Sequence, residues 1–174
     1  MGVITLIKLP FFKMISCKKV DLSDEEQGRR VVQLLNVYAT DPMGGGESLG
    51  EDVMRRLPQE LKKRPTAHAF IATLDGVEAG VAICFEGFST FECKPLINIH
   101  DLCVIPTMRR KGVASTLVFS IEQYAHSIGC CKLTLEVLEG NHAAKASYRA
   151  CGFEGYELDP EMGKAVFWQK KLGH

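Results

Sequence analysis

The chain has 174 residues, with 21 Lys plus Arg against 21 Asp plus Glu and a formal net charge of zero; 46% of it is hydrophobic and 24% charged. That length builds one substantial core and not two, and the composition is that of a soluble globule rather than a disordered, collagenous or membrane chain. A balanced charge supplies no long-range field to gather nucleic acid.

The opening MGVITLIKLPFFKMIS is apolar, yet it lacks a basic leading segment, a long unbroken apolar run and a small-residue cleavage site. It does not read as a secretory leader. Leu6 stands where a myristoylation pattern requires Ser or Thr. Residues 1–13 therefore read as an appendage or an extra strand, and 14–174 as the working domain. A short strand within 14–22 leads into a helix with Val31, Leu34, Leu35 and Tyr38 at helical spacing. TDPMGGGESLG is an irregular link and a candidate flap over a site, and a second helical pattern runs from Asp52 to Leu61.

From Ala67 the period changes. AHAFIATL and VEAGVAICFEGFSTF flank Asp75-Gly76, a dipeptide suited to a tight hairpin. Leu96 to Ile105 is nearly continuous in apolar residues, interrupted by Asn98, His100 and Asp101, and is expected near the centre of the sheet. A helix follows with an apolar stripe of Val113, Leu117, Ile121, Ala125 and Ile128, stopped by Gly129. CKLTLEVLE is the next strand, NHAAKASYRACGF a helix closed by Gly152, and KAVFWQKKL a last strand with Phe167 and Trp168 in core or interface. Without repeats or a dividing linker, one mixed α/β unit results.

Seven cysteines (Cys17, Cys84, Cys93, Cys103, Cys130, Cys131 and Cys151) are odd in number and without CxxC spacing. They read as reduced, mostly buried thiols of a cytoplasmic protein, with no metal site.

The stretch VIPTMRRKGVAS places Arg109, Arg110 and Lys111 before Gly112 at the start of a helix. Helix N-termini carry unpaired amides and partial positive charge, so this is a phosphate cradle in outline. Gly112 permits close approach of a ligand to the backbone, and Ala114 is small enough to do the same. Neither GxxxxGK[ST] nor GxGxxG is present, which excludes a Walker loop and a dinucleotide fingerprint.

Arg109, Gly112 and Ala114 satisfy Arg or Gln, two residues, Gly, one residue, Gly or Ala; Asn141, Tyr148, Gly152 and Phe153 follow in a helix ending in Gly-Phe. On these residues the chain resembles the GNAT superfamily of acyl-CoA-dependent N-acetyltransferases across about residues 14 to 171. GFSTFECKPLINIHDLCVIPTMRRKG looks most like the diamine (spermidine/spermine) N-acetyltransferase branch, although His100 stands where that branch has a glutamate. The resemblance implies a single-domain, mostly antiparallel mixed sheet flanked by helices, with acetyl-CoA as cosubstrate and a homodimer. It further implies cofactor contacts from Cys103, Val104, Arg109, Arg110, Lys111, Gly112, Val113, Ala114, Ser115, Asn141 and Tyr148.

Acetyl transfer to an amine needs a neutral amine, a polarised thioester carbonyl and a proton for the departing thiolate. His100, polar within an apolar strand, is the first candidate base, because its ordinary pKa lies near neutrality. Asp101 is expected to orient it only if a bulge brings two adjacent residues to one side. Tyr148 occupies the family position whose phenol protonates coenzyme A, and an amide near Val104 polarises the carbonyl. Direct transfer in a ternary complex is expected, with Cys103 as packing rather than nucleophile. Glu47, Glu51, Asp52, Glu86 and Glu92 are candidates to line the approach of a cationic amine. The acceptor is read as a small-molecule amine, a polyamine, amino acid or similar. Transfer to a protein lysine or N-terminus and non-catalytic acyl-CoA sensing are the alternatives.

Overall fold

A computed structural model describes residues 13–157, 159, 161, 163 and 165–172. The sheet follows chain order: β1 (Ile15–Lys19), β2 (Ala67–Leu74), β3 (Val77–Ser89), β4 (Lys94–Val104) and β5 (Leu133–Leu135). The first four strands pair antiparallel, and β5 lies parallel to β4. Helices α1 (Glu25–Ala39) and α2 (Glu51–Lys62) cover one face, α3 (Val113–Ser127) the other, and α4 (His142–Ala150) follows β5.

Alternation along the strands sorts the core into two layers. Ala69, Ile71, Val81, Ile83 and Cys103 meet Val31, Leu34 and Leu35 of α1 and Leu61 of α2. Phe70, Ala72, Cys84, Ile97 and Ile99 meet Val113, Leu117, Ile121 and Ala125 of α3. Phe70, Ile97, Leu117 and Ile121 are fully buried, each contributing about 1.5–3 kcal/mol by removal from water. At the α1–α2 contact a Cβ on Gly28 would stand 3.3 Å from that of Pro58, so the glycine admits the proline ring carried inside α2.

The hairpin between β2 and β3 turns at Asp75 (φ 52°) and Gly76 (φ 82°), two successive left-handed residues whose twist suits antiparallel strands. Asp24 caps α1 by accepting from the amides of Glu26 and Gln27, and Asn141 caps α4 by accepting from that of Ala144. Gly129 (φ 77°) follows the C-terminus of α3, and Gly152 (φ 87°) follows that of α4.

Four expectations need correction. The strand expected over 131–139 shortens to three residues, and residues 165–172 hold no regular structure. A strand-like pattern needs a partner, and among the described residues the one backbone bond here runs from the Ala165 amide to the Tyr156 carbonyl at 3.3 Å. Phe167 and Trp168, expected in core or interface, are 78% and 85% exposed. Only Cys84 and Cys103 are buried; Cys93 is exposed and the other four thiols are half-buried. The reading of residues 1–13 as an appendage or strand falls, up to residue 12, outside the described residues. No helix among the described residues is long and apolar enough to cross a membrane.

Candidate active site

Strands β4 and β5 pair from Ile97 with Leu133 to Ile99 with Leu135 and then part. At that point β4 carries a bulge: Ile83 of β3 faces Asp101 while Cys84 faces Ile99, leaving His100 as the extra residue. Beyond the parting lies a cavity of about 710 Å3, bounded by Leu102, Cys103 and Val104 of β4, the start of α3, and Asn141 to Tyr148. Tyr38, Asp41 and Met43 close it from the α1–α2 side.

One end of the cavity is built to take an anion. Arg110 (φ 59°) and Gly112 (φ 90°) curl the backbone before α3, and a Cβ on Gly112 would come within 3.2 Å of the Ile15 side chain. Among the described residues no carbonyl or side chain accepts from the amides of Arg110 through Ser115. Five of these six residues, all but Lys111, border the cavity at a helix N-terminus, which fits a pyrophosphate. Arg110 borders the cavity. The side chain of Arg109 turns elsewhere, with Nε donating to the Val104 carbonyl at 3.1 Å and Nη2 to Asp41 at 2.5 Å. Lys111 folds back to the Thr107 carbonyl at 2.7 Å and does not border the cavity.

Tyr148 also borders the cavity, edge-on to Phe153 with ring centres 5.9 Å apart. Burial, then the neighbouring Tyr38, pushes the Tyr148 phenol up to about 12, so it is a proton donor throughout the neutral range. Tyr38 is raised as well, chiefly by burial and then by Asp101, and its hydroxyl donates to the Met43 carbonyl at 3.2 Å. Burial also pushes the Cys103 thiol up to about 11 and raises the Asp101 carboxyl, which His100 partly offsets. A thiol so protonated is a poor nucleophile. His100 is exposed and packs edge-on against Phe85, ring centres 5.5 Å apart.

This geometry accompanies a match to the acetyltransferase (GNAT) family over residues 31–153. The chain belongs to the GNAT family. It is an acyl-CoA-dependent N-acetyltransferase with acetyl-CoA as cosubstrate. Aminoglycoside N(6')-acetyltransferase type 1 of Salmonella typhimurium strain LT2 is 24% identical over 116 residues, 65% of this chain and 76% of the relative. A soil-metagenome aminoglycoside acetyltransferase solved with sisomicin superposes with a TM-score of 0.74 at 17% identity, covering 91% of this chain and 97% of that one. Aminoglycoside N-acetyltransferase AAC(6')-Iy in complex with CoA gives 0.67 at 20% identity, covering 94% and 99%. The two structural likenesses establish the fold. These three are aminoglycoside acetyltransferases and do not single out the diamine branch that the residues around His100 suggested.

Of the GNAT residues expected from sequence, Cys103, Val104, Arg109, Arg110, Gly112 to Ser115, Asn141 and Tyr148 border one cavity. His100 and Asp101 sit on the bulge just before Leu102, outside the lining. The five carboxylates named as candidates for the acceptor's approach do not line the cavity. Asp52 is held by Arg55 and Arg56, Glu86 stands 3.6 Å from His68, and Glu47, Glu51 and Glu92 are exposed away from the lining. Asp41 borders the cavity instead, and Glu136, one residue past the end of β5, receives the Asn98 carboxamide. Neither residue belongs to a spacing pattern that marks it out. Among the described residues no group of three or more His, Cys, Asp or Glu is arranged to hold a metal.

Proposed function

We propose that the acceptor is a primary amine of a small, polar, multiply charged molecule, an aminosugar or polyamine, and that the acetyl group moves to it directly in a ternary complex. The observation that carries this is Tyr148, a half-buried phenol raised to about 12 that borders the same cavity as the free amides before α3. The amides of Arg110 to Ser115 bind the pyrophosphate of acetyl-CoA, Asn141 and Cys103 flank its pantetheine arm, and an amide near Val104 polarises the carbonyl. Acetyl-CoA supplies an activated thioester.

An alkylammonium near pKa 10 must lose a proton before it attacks. His100 takes that proton, directly or through one water, as an exposed imidazole on the β4 bulge. Asp101, one residue on, sets the polarity of the bulge. Glu136 attracts the ammonium to the point where β4 and β5 part. After attack the thiolate leaves, and Tyr148 returns a proton to it. The protonated thiol of Cys103 supports direct transfer over an acyl-enzyme. The aminoglycoside relatives favour aminosugars among such amines, and the protein works as a homodimer in a reducing, cytoplasmic setting.

Thiol release from acetyl-CoA against aminoglycosides, polyamines, amino acids and lysine peptides tests the reading. Turnover with an aminoglycoside or polyamine is expected; turnover with lysine peptides alone would move the assignment to protein acetylation.

A further inference from the structure

Asp41 is the knot of the loop between α1 and α2. Its Oδ1 accepts from the Met43 amide at 3.0 Å, and its carbonyl accepts from the amides of Gly44 and Gly46 at 2.8 and 3.0 Å. Its own amide donates to the Tyr38 carbonyl at 2.9 Å, and the Tyr38 hydroxyl returns to the Met43 carbonyl. The remaining oxygen, Oδ2, leaves the loop altogether and takes the Arg109 guanidinium at 2.5 Å, across 68 positions of sequence. Arg109 in turn holds the Val104 carbonyl at the end of β4. The carboxylate is well shielded, with its side chain 15% exposed, while the guanidinium is 47% exposed.

The pair thus ties two walls of one cavity: Tyr38, Asp41 and Met43 on one side, the amide turn before α3 on the other. Arg109 stands in that turn but gives its side chain to protein, leaving Arg110 and the backbone to meet an anion. A ligand held by the amides of residues 110 to 115 restricts the backbone from which Arg109 projects. That restriction reaches Tyr38, Asp41 and Met43 through the Arg109–Asp41 pair.

We propose that Asp41 is a positioning residue whose bond to Arg109 passes cofactor occupancy to the α1–α2 loop, so that acetyl-CoA organises the wall against which the acceptor amine docks. The inference rests on the acetyltransferase reading above. It makes cofactor and acceptor binding mutually reinforcing, because coupling between two sites is reciprocal.

The test is amide hydrogen exchange over residues 41–46 of the full chain, with and without saturating CoA, in wild type, Asp41→Asn and Arg109→Met. In wild type CoA slows exchange of this loop by about fivefold or more, the lower end of ordinary coupling. Both variants lose the CoA-dependent slowing while CoA still protects the start of α3. Asp41→Asn also disturbs bonds inside the loop, so Arg109→Met, which leaves all of those intact and has no donor for Asp41, is decisive. A purely structural pair would speed exchange equally with and without CoA. Slowing by CoA that persists in Arg109→Met, or that is missing from wild type although CoA binds, overturns the proposal. Failure of CoA to bind wild type at all would instead refute the cofactor reading beneath it.

Discussion

Asn98 offers its carboxamide to both oxygens of Glu136, at 3.3 Å each, and to Thr134 Oγ1 at 3.2 Å, joining β4 to the chain just past β5. A carboxylate so held has a fixed place at the point where the two strands separate. If Glu136 attracts the acceptor ammonium, Glu136→Gln keeps the shape and removes the charge. KM for the amine should rise about tenfold, in line with roughly 1.5–3 kcal/mol for a charged hydrogen bond, while KM for acetyl-CoA stays within about twofold of wild type. Equal changes in both constants would mean that Glu136 only braces the sheet.

Asp101 provides a stability test with a defined sign. Burial raises its pKa in the folded chain above the ordinary 3.8. Its favourable contribution is therefore complete below that ordinary value and is lost as pH rises through the folded pKa. The raised pKa makes this carboxyl a burden at neutral pH, and Asp101→Asn should raise Tm at pH 7 by about 2 °C or more, a gain that shrinks towards pH 4. A lower Tm for Asp101→Asn at pH 7 would show that the charge has a favourable partner. Thermal melts of both proteins from pH 4 to 8 decide it.

Gly80 on β3 tests how tightly the cavity floor is built. A Cβ there would lie 2.6 Å from the Cys103 carbonyl oxygen and 3.2 Å from side-chain carbons of Leu117 and Val113. Backbone cannot move aside as a side chain does, so Gly80→Ala should cost about 1–3 kcal/mol. Because Cys103 borders the cavity, KM for acetyl-CoA should rise as well. Denaturant melts and initial rates measure the two effects; a variant as stable as wild type would mean that β3 and β4 separate easily.

The thiols offer a chemical reading of the same packing. Burial pushes Cys84 up to about 12 and Cys103 up to about 11, whereas Cys93 is exposed. Alkylation at neutral pH should mark Cys93 first and leave Cys84 and Cys103 unmodified until the chain is unfolded, since the thiolate is the reactive form. Peptide mapping after brief iodoacetamide treatment tests this. Rapid labelling of Cys103 would reopen an acyl-enzyme route.

These residues also show what a linear reading reaches. The turn before α3 and the α4 helix were legible because each keeps its chemistry within a few residues: Arg109 to Ala114, and Asn141 to Phe153. The Asp75-Gly76 hairpin was legible for the same reason. Local signals did not disclose that Arg109 turns away to Asp41, because that bond spans 68 positions and depends on how α1 packs over the sheet. The bulge at His100 was foreseen only as a condition. Its existence follows from the register of β4 against β3, which apolar alternation alone does not fix. The 165–172 segment shows the opposite error: β-branched and aromatic residues signal a strand, yet pairing is a property of the partner edge.

The central claim is that Tyr148 gives the proton that releases coenzyme A. The most direct measurement compares kcat and CoA affinity for wild type and Tyr148→Phe, using thiol release and calorimetry on the same preparations. The account predicts CoA binding within about threefold of wild type and kcat lower by about 10²-fold or more, the usual scale of a lost acid catalyst. Unchanged kcat in Tyr148→Phe with CoA still bound would contradict it, leaving Tyr148 as packing and the proton to come from solvent or another side chain.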